Sequence, residues 1–462
     1  MGKPGFDSMS SLREKVTDYL NKYPVFSRFL KNSGYMFSSS TISILLVAVQ
    51  AILAARLLGS EKLGLITLII TITTTVNQLF SFRMGEYVIR FFGKARADND
   101  QDQMVSVIKV SAAIEIITSL CAFGFIYLLS SWLAGVWIKN FDQHQASTLI
   151  RFFGLVILAN MTTETANGVL RITNRFKIQA VLQLLQAIVS FTLITLAFIF
   201  QWGFFEILLA YFAGKLVIGT GPTIAALGAM REEFGRGWLF RKTHTTISFK
   251  ETIQFAVSTN LSATTKLLAS ESEPLWLGYF LNESAVGLFK VAMSVVNLIT
   301  IPITPLIQTA FPDITRTVVA KKWLQLRKLL KQITLLAAAW TIPAGIFMVA
   351  TGKWLVWLYG ADFPASYSTF VILLLGYAVT NVFFWNRTLL LAFGKANLPL
   401  LVLGTGAAIK IILAFFVIPK FGINGEAALL SGYFTLTTLV LVWIGTRVIH
   451  VSQGHASQQE AA

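Results

Sequence analysis

A chain of 462 residues that is 55% hydrophobic and 13% charged, with a mean hydropathy of +0.66, has too little polar surface for a water-soluble domain. It reads as an integral membrane protein, and its apolar runs are too long for the alternating strands of an outer-membrane barrel. The formal charge of +16 raises a nucleic-acid partner, which the placement of the charges then argues against.

Residues 1–34 are too charged for a cleaved signal and predict an amphipathic helix on the cytoplasmic face. Twelve spans follow, over about 35–57, 63–82, 105–130, 148–168, 178–200, 205–229, 253–280, 286–310, 330–350, 366–386, 398–418 and 425–446. With the N-terminus inside, the segments facing the cytoplasm hold 27 of the 38 Lys and Arg residues and the outside segments hold six. That bias supports twelve spans with both termini in the cytoplasm, and it turns the basic charge into a matter of topology, with no nucleic-acid partner expected.

Span 1 closes on Arg56, and span 2 carries Thr67, Thr71, Thr74 and Gln78 on one helical face before Arg83. Span 3 holds Lys109, near enough to its end to snorkel, together with Glu115 and the single cysteine, Cys121, so there is no disulfide framework or metal motif. Glu164 sits with Asn160, Asn167 and Arg171 in span 4, a polar face or a Glu164–Arg171 pair. Lys215 lies near the middle of span 6. A basic linker, 230–252, leads to span 7, where Thr259, Ser262, Lys266, Ser270 and Glu273 share a face and Glu271 offers Lys266 an internal partner. Span 8 brings Lys290, Ser294 and Asn297, then Pro302 and Pro305, while Pro343 falls in span 9; each proline reads as a hinge or as fixed curvature. Lys410 is at mid-span 11, and a tail, 448–462, ends the chain.

The chain repeats itself. The stretch ARLLGSEKLGLITLIITIT (55–73) aligns with GYFLNESAVGLFKVAMSVV (278–296) when Gly64-Leu65 is laid on Gly287-Leu288. The same offset of 223 lays Thr67, Thr71 and Thr74 on Lys290, Ser294 and Asn297. Halves six spans apart share an orientation, so the expected fold is all-α and polytopic: a six-helix bundle over 35–229 and another over 253–447, related by a pseudo-two-fold along the membrane normal. Between them a cleft would serve alternating access.

Intramembrane lysines are costly, at about 2.5–3.5 kcal/mol each on insertion scales, and normally face a cavity or partner. Lys266, Lys215 and Lys410, with Lys290, Arg56 and Arg83, are the expected cationic lining of the cleft, suited to a diphosphate. Thr67, Thr71, Thr74, Gln78, Ser294 and Asn297 are its expected polar lining. Glu115, Glu164, Glu271 and Glu273 are the candidates for coupling transport to a proton or Na⁺ gradient. No cofactor is expected.

The segments ARLLGSEKLGLITL and LWLGYFLNESAVGLFKVAMSVV, with LLLAFGKAN and VIPKFGINGEAAL, resemble the polysaccharide repeat-unit flippases (Wzx-like) of the multidrug/oligosaccharidyl-lipid/polysaccharide exporter superfamily, over about residues 30–447. The resemblance implies a bacterial inner-membrane protein of O-antigen or exopolysaccharide biosynthesis. It would move an oligosaccharide on undecaprenyl diphosphate from the cytoplasmic to the periplasmic leaflet, among membrane lipids and other polysaccharide-assembly proteins. Where the family often carries an aspartate near the end of span 7, this chain has ESEPLW, so no role passes to Glu271 or Glu273 from the family.

A drug or organic-cation exporter of the same superfamily would share the topology but favours carboxylates in the cleft. A lipid II flippase would also want cations, and often carries two further spans. An enzyme needs a sizeable loop for its chemistry, and the longest outside connection here is about sixteen residues. No GxxxxGK[ST], HExxH or GxSxG occurs. A non-transporting scaffold would need an interface to explain its charged helix faces.

Overall fold

The computed structural model describes the backbone of residues 24–241, 247–395 and 397–461, without the side chains of 24–41, 249, 258–259, 261–263, 305, 308–309 and 454–461. Most of the predicted N-terminal amphipathic helix, residues 242–246 of the linker and the side chains of Thr259, Ser262 and Pro305 therefore lie outside the described residues.

The described chain is helical throughout, with no strand. Among the described residues nine stretches are long and apolar enough to cross a bilayer. Two of them are helix pairs: Pro24–Phe80 changes course at Gly59 (φ 71°, ψ 179°) and Asn397–Ala461 at Gly422 (φ 59°, ψ −141°), backbone that glycine adopts without strain. With span 7, formed by Phe249–Ser270 and Glu273–Phe280, the architecture is consistent with twelve crossings.

Local sequence explains the helix starts. The Asp100 carboxylate accepts from Gln103 N at 2.9 Å, Asp142 from Gln145 N at 2.8 Å, and the Asn282 side chain from Ala285 N at 3.0 Å, each satisfying a donor that the first helical turn leaves free. Lys109 Nζ donates to Arg241 O at 2.5 Å.

Several spans are broken. Span 2 continues from Phe80 through Ser81–Arg83 into Met84–Ala97, with Arg83 left-handed at φ 46°. Span 4 is Gln143–Ala159 followed by Thr163–Ile172, and span 10 is Ser366–Val382 followed by Asn386–Ala392. Asn160 and Phe383, which end the first halves of spans 4 and 10, are 223 residues apart, so the break repeats at the offset read from the sequence. Span 8 opens into a 3-10 turn at Leu298–Thr300, and Pro302 caps the helix that resumes at Ile303. Span 9 runs unbroken through Pro343 as Trp323–Trp357.

Within the first half, Gln101–Trp137 packs on Gln143–Ala159 and on Met84–Ala97, and Phe176–Ile199 packs on Phe204–Phe234. Within the second, Ser366–Val382 packs on Asn397–Ala461 and on Trp323–Trp357. The most extensive helix contact joins the halves, between Pro24–Phe80 and Glu283–Asn297. Large apolar side chains such as Leu128, Ile224 and Phe416 point outward, and Trp132, Trp354, Trp357 and Trp443 are exposed, the surface expected of helices facing lipid with tryptophans toward the interfaces.

Candidate functional site

The cleft is closed at the end that carries Gly59. Gly64 of span 2 and Gly287 of span 8 face each other so closely that a Cβ on Gly64 would lie 1.7 Å from Glu283 O, and one on Gly287 1.9 Å from Ser60 O. Ser60 and Ser284 share a hydroxyl hydrogen bond of 3.0 Å beside them. Glu283, fully buried, takes the backbone N–H groups of Lys139 and Asn140 on one carboxylate oxygen, and Lys139 Nζ donates to Tyr279 O at 2.7 Å. Arg56 Nε donates to Leu358 O at 2.6 Å with its guanidinium 5.8 Å from the Trp357 ring. Every one of these bonds crosses from one half to the other. Arg56 thus serves as an interdomain latch, a correction to its expected place among the substrate cations.

Beyond the glycine contact the same helical faces continue along the cleft. Lys290 and Ser294 are three and seven residues past Gly287, on its face of the helix. Lys290 is exposed, Ser294 is half-buried with its hydroxyl on Lys290 O at 2.8 Å, and Asn297 is exposed. From the first half, Lys215 comes within electrostatic reach of Lys290. Among the described residues neither ammonium has a carboxylate within ion-pair distance. On span 2, Thr67 is buried against the interface, which corrects its assignment to the lining; Thr71 and Thr74 are half-buried and Gln78 is exposed. All three threonine hydroxyls donate to their own helix, to Leu63 O, Thr67 O and Ile70 O at 2.7–2.8 Å.

Span 7 divides its faces. Leu268, Leu275 and Tyr279 border an apolar groove of about 500 Å³ between the halves, which Phe125 and Trp137 line from the other side. Lys266 lies 200° around the helix from Leu268, on the side away from that groove. It pairs with Glu271 at 2.6 Å and remains 69% exposed, so the internal pair expected as an alternative is present. Arg83 sits at the break of span 2, exposed and 3.5 Å from Glu86, and does not join these lysines.

Lys410 is elsewhere altogether. It is 3% exposed inside the second half, its ammonium 2.7 Å from Glu273 and 3.0 Å from Glu426, with a further bond to Ala269 O at 3.2 Å. This corrects its reading as a cleft cation. Glu426 was not among the expected residues: it falls one residue inside predicted span 12, where a carboxylate reads as an end residue, although VIPKFGINGEAAL contains it. Its Oε2 has no hydrogen-bond partner among the described residues. The cluster holds two acids against one base in a buried site, and a single added proton or alkali cation balances it.

Glu115 is buried too, but its task is visible: Oε1 accepts from Glu164 N at 2.8 Å and Oε2 from Thr165 N at 3.0 Å. It holds the first free donors of Thr163–Ile172, where a carboxylate also meets the positive end of the helix dipole. The geometry therefore assigns it to bracing the break in span 4. Glu164 supplies one of those N–H groups, and its half-buried side chain lies against Gly85.

Two helical halves that meet at a repeated glycine contact, built from helices long and apolar enough to cross a bilayer, make a polytopic helical membrane fold. A family model described as polysaccharide biosynthesis protein matches residues 29–318, and the chain belongs to that family. It is 22% identical over 297 residues to inner membrane protein YghQ of Escherichia coli (strain K12), covering 63% of this chain and 81% of that protein. Among solved structures it is similar to the lipid II flippase MurJ in an inward closed conformation (TM-score 0.69, 12% identity, 91% of this chain and 90% of that one). It is likewise similar to an inward-facing multidrug resistance MATE family transporter of the MOP superfamily (TM-score 0.67, 13% identity, 89% and 96%). These neighbours are transporters, and the fold is that of the MOP superfamily.

Proposed function

We propose that this chain is a flippase that carries a polyprenyl-diphosphate-linked oligosaccharide repeat unit, of the kind built into O-antigen or exopolysaccharide, from the cytoplasmic to the periplasmic leaflet of the bacterial inner membrane. The reading is supported by Lys290 on the exposed continuation of the Gly287 face, with Lys215 of the other half within electrostatic reach and no carboxylate paired to either among the described residues, a pair of like charges that an anion would relieve. A diphosphate supplies that anion, and Lys266 on span 7 can release Glu271 to join it.

With N- and C-termini in the cytoplasm, the Gly64–Gly287 end is periplasmic, and the substrate enters from the basic face while its lipid tail stays in the bilayer. The halves then rock about the glycine contact, breaking the bonds of Arg56, Lys139 and Glu283. The Glu273–Lys410–Glu426 cluster is the proposed point at which a proton or Na⁺ gradient acts, because it sets two buried acids on different helices against one shared base.

Reconstitution into liposomes with a fluorescent undecaprenyl-diphosphate oligosaccharide and an imposed gradient tests the reading. Translocation of that lipid supports it; transport of lipid II alone narrows it to that substrate, and transport of organic cations instead overturns it.

A further inference from the structure

At the basic end of the second half, away from the cleft, spans 9, 10 and 12 enclose a groove of about 410 Å³. Its floor is apolar: Leu330, Leu335, Ile449 and the face of Trp385, whose Nε1–H is already given to Thr334 Oγ1 at 2.7 Å. Its rim is cationic. Arg327 and Lys331 stand one helical turn apart on span 9, and His450 faces them from span 12. Arg327 Nη2 lies 3.1 Å from His450 Nδ1; an arginine can only donate, so Nδ1 accepts and the imidazole carries its proton on Nε2. The rim therefore presents a guanidinium, an ammonium and an imidazole N–H, all donors.

Among the described residues no acid lies within ion-pair distance of Arg327, Lys331 or His450. Between Asp313 and Glu460 the sequence contains only Asp362 and Glu426; Asp362 lies beside Gly59 at the closed end of the cleft, and Glu426 is committed to Lys410. The groove also meets the lipid surface, since Leu335 in its wall and neighbouring Leu336 are 58% and 55% exposed. Charge on the rim and hydrocarbon on the floor and flank match one class of ligand.

The geometry points to a binding site for an anionic phospholipid, its phosphate held by Arg327, Lys331 and His450 and its acyl chains running along Leu335 and Leu336. The site is independent of the substrate proposed above. Bound there, the lipid ties span 9 to span 12 across the break in span 10.

Native mass spectrometry of the full-length protein with phosphatidylglycerol or phosphatidylcholine added tests this, alongside thermal melting in detergent with each lipid or with inorganic phosphate. The expected result is retention of phosphatidylglycerol about tenfold above phosphatidylcholine, with protection by that lipid and none by phosphate. The pair Arg327→Ala/Lys331→Ala should abolish the preference while melting like the wild type without lipid. Lys331→Gln alone, a milder change, should weaken it. Arg171→Ala/Lys177→Ala, which removes the same charge from the other half, should leave it intact. Equal retention of both lipids, equal protection by inorganic phosphate, or equal loss in the Arg171/Lys177 variant would overturn the assignment.

Discussion

Gly64 and Gly287 occupy the same place in two copies of one sequence pattern and pack directly on each other, each with no room for a Cβ against the other helix's backbone. The repetition is therefore also a contact: the pattern meets itself at the interface between the halves. Replacing either glycine by alanine forces the helices apart at the closed end. Overpacking of this kind costs about 1–3 kcal/mol, so a shift of about 2 kcal/mol would move the equilibrium away from the closed arrangement by about thirtyfold. Accessibility of a cysteine placed at Ser60 to a membrane-impermeant thiol reagent, in a Cys121→Ser background, should rise in Gly287→Ala; unchanged labelling would show that the contact does not hold the closed state.

Glu283→Ala should act in the same direction by a different route. It removes the acceptor for two backbone N–H groups across the interface, and hydrogen bonds to a charged group contribute about 1.5–3 kcal/mol each. Glu283→Gln keeps an acceptor oxygen and should lie between wild type and alanine. Distances between spin labels on the two halves would report the ordering, and an alanine variant with the wild-type distribution would contradict it.

How far these features were legible in the sequence depends on what each one requires. The spans, the offset of 223 and the face shared by Lys290, Ser294 and Asn297 are periodic, and periodicity survives folding. Lys410 misled because a mid-span lysine signals a partner without naming it, and its partner Glu426 lies sixteen residues away on the next span. Glu115 misled similarly: a buried carboxylate looks the same in sequence whether it serves an ion or two backbone amides, and the break in span 4 that exposes those amides has no proline to mark it. Arg56 and Glu283 owe their roles to bonds with backbone atoms, which carry no residue identity.

Lys410→Met should be strongly destabilising, because it leaves Glu273 and Glu426 buried without a counter-charge. Breaking a buried pair costs about 3–5 kcal/mol, whereas replacing all the charges is often neutral. The triple variant Glu273→Gln/Lys410→Met/Glu426→Gln should therefore recover much of the lost melting temperature while transport no longer responds to the gradient. Thermal melts and flux assays on the same preparations check both halves of this expectation; a triple variant that still follows the gradient would remove the cluster from the coupling mechanism.

For Glu115→Ala the expected loss is of stability, about 1–3 kcal/mol for each of the two abandoned amides. The dependence of transport on the gradient should be retained by whatever protein folds, measured as the flux ratio with and without the gradient. A folded variant whose flux no longer responds would return Glu115 to the ion pathway.

The cleft cations carry the central claim, and the most direct measurement is translocation of a fluorescent undecaprenyl-diphosphate oligosaccharide by wild type, Lys215→Ala, Lys290→Ala and the double variant in liposomes under a gradient. The account predicts at least about a tenfold loss in each single variant, equivalent to about 1.4 kcal/mol of lost anion stabilisation, and near-complete loss in the double. Wild-type flux in the double variant would mean that the diphosphate is held elsewhere, and the account of the cleft would fail.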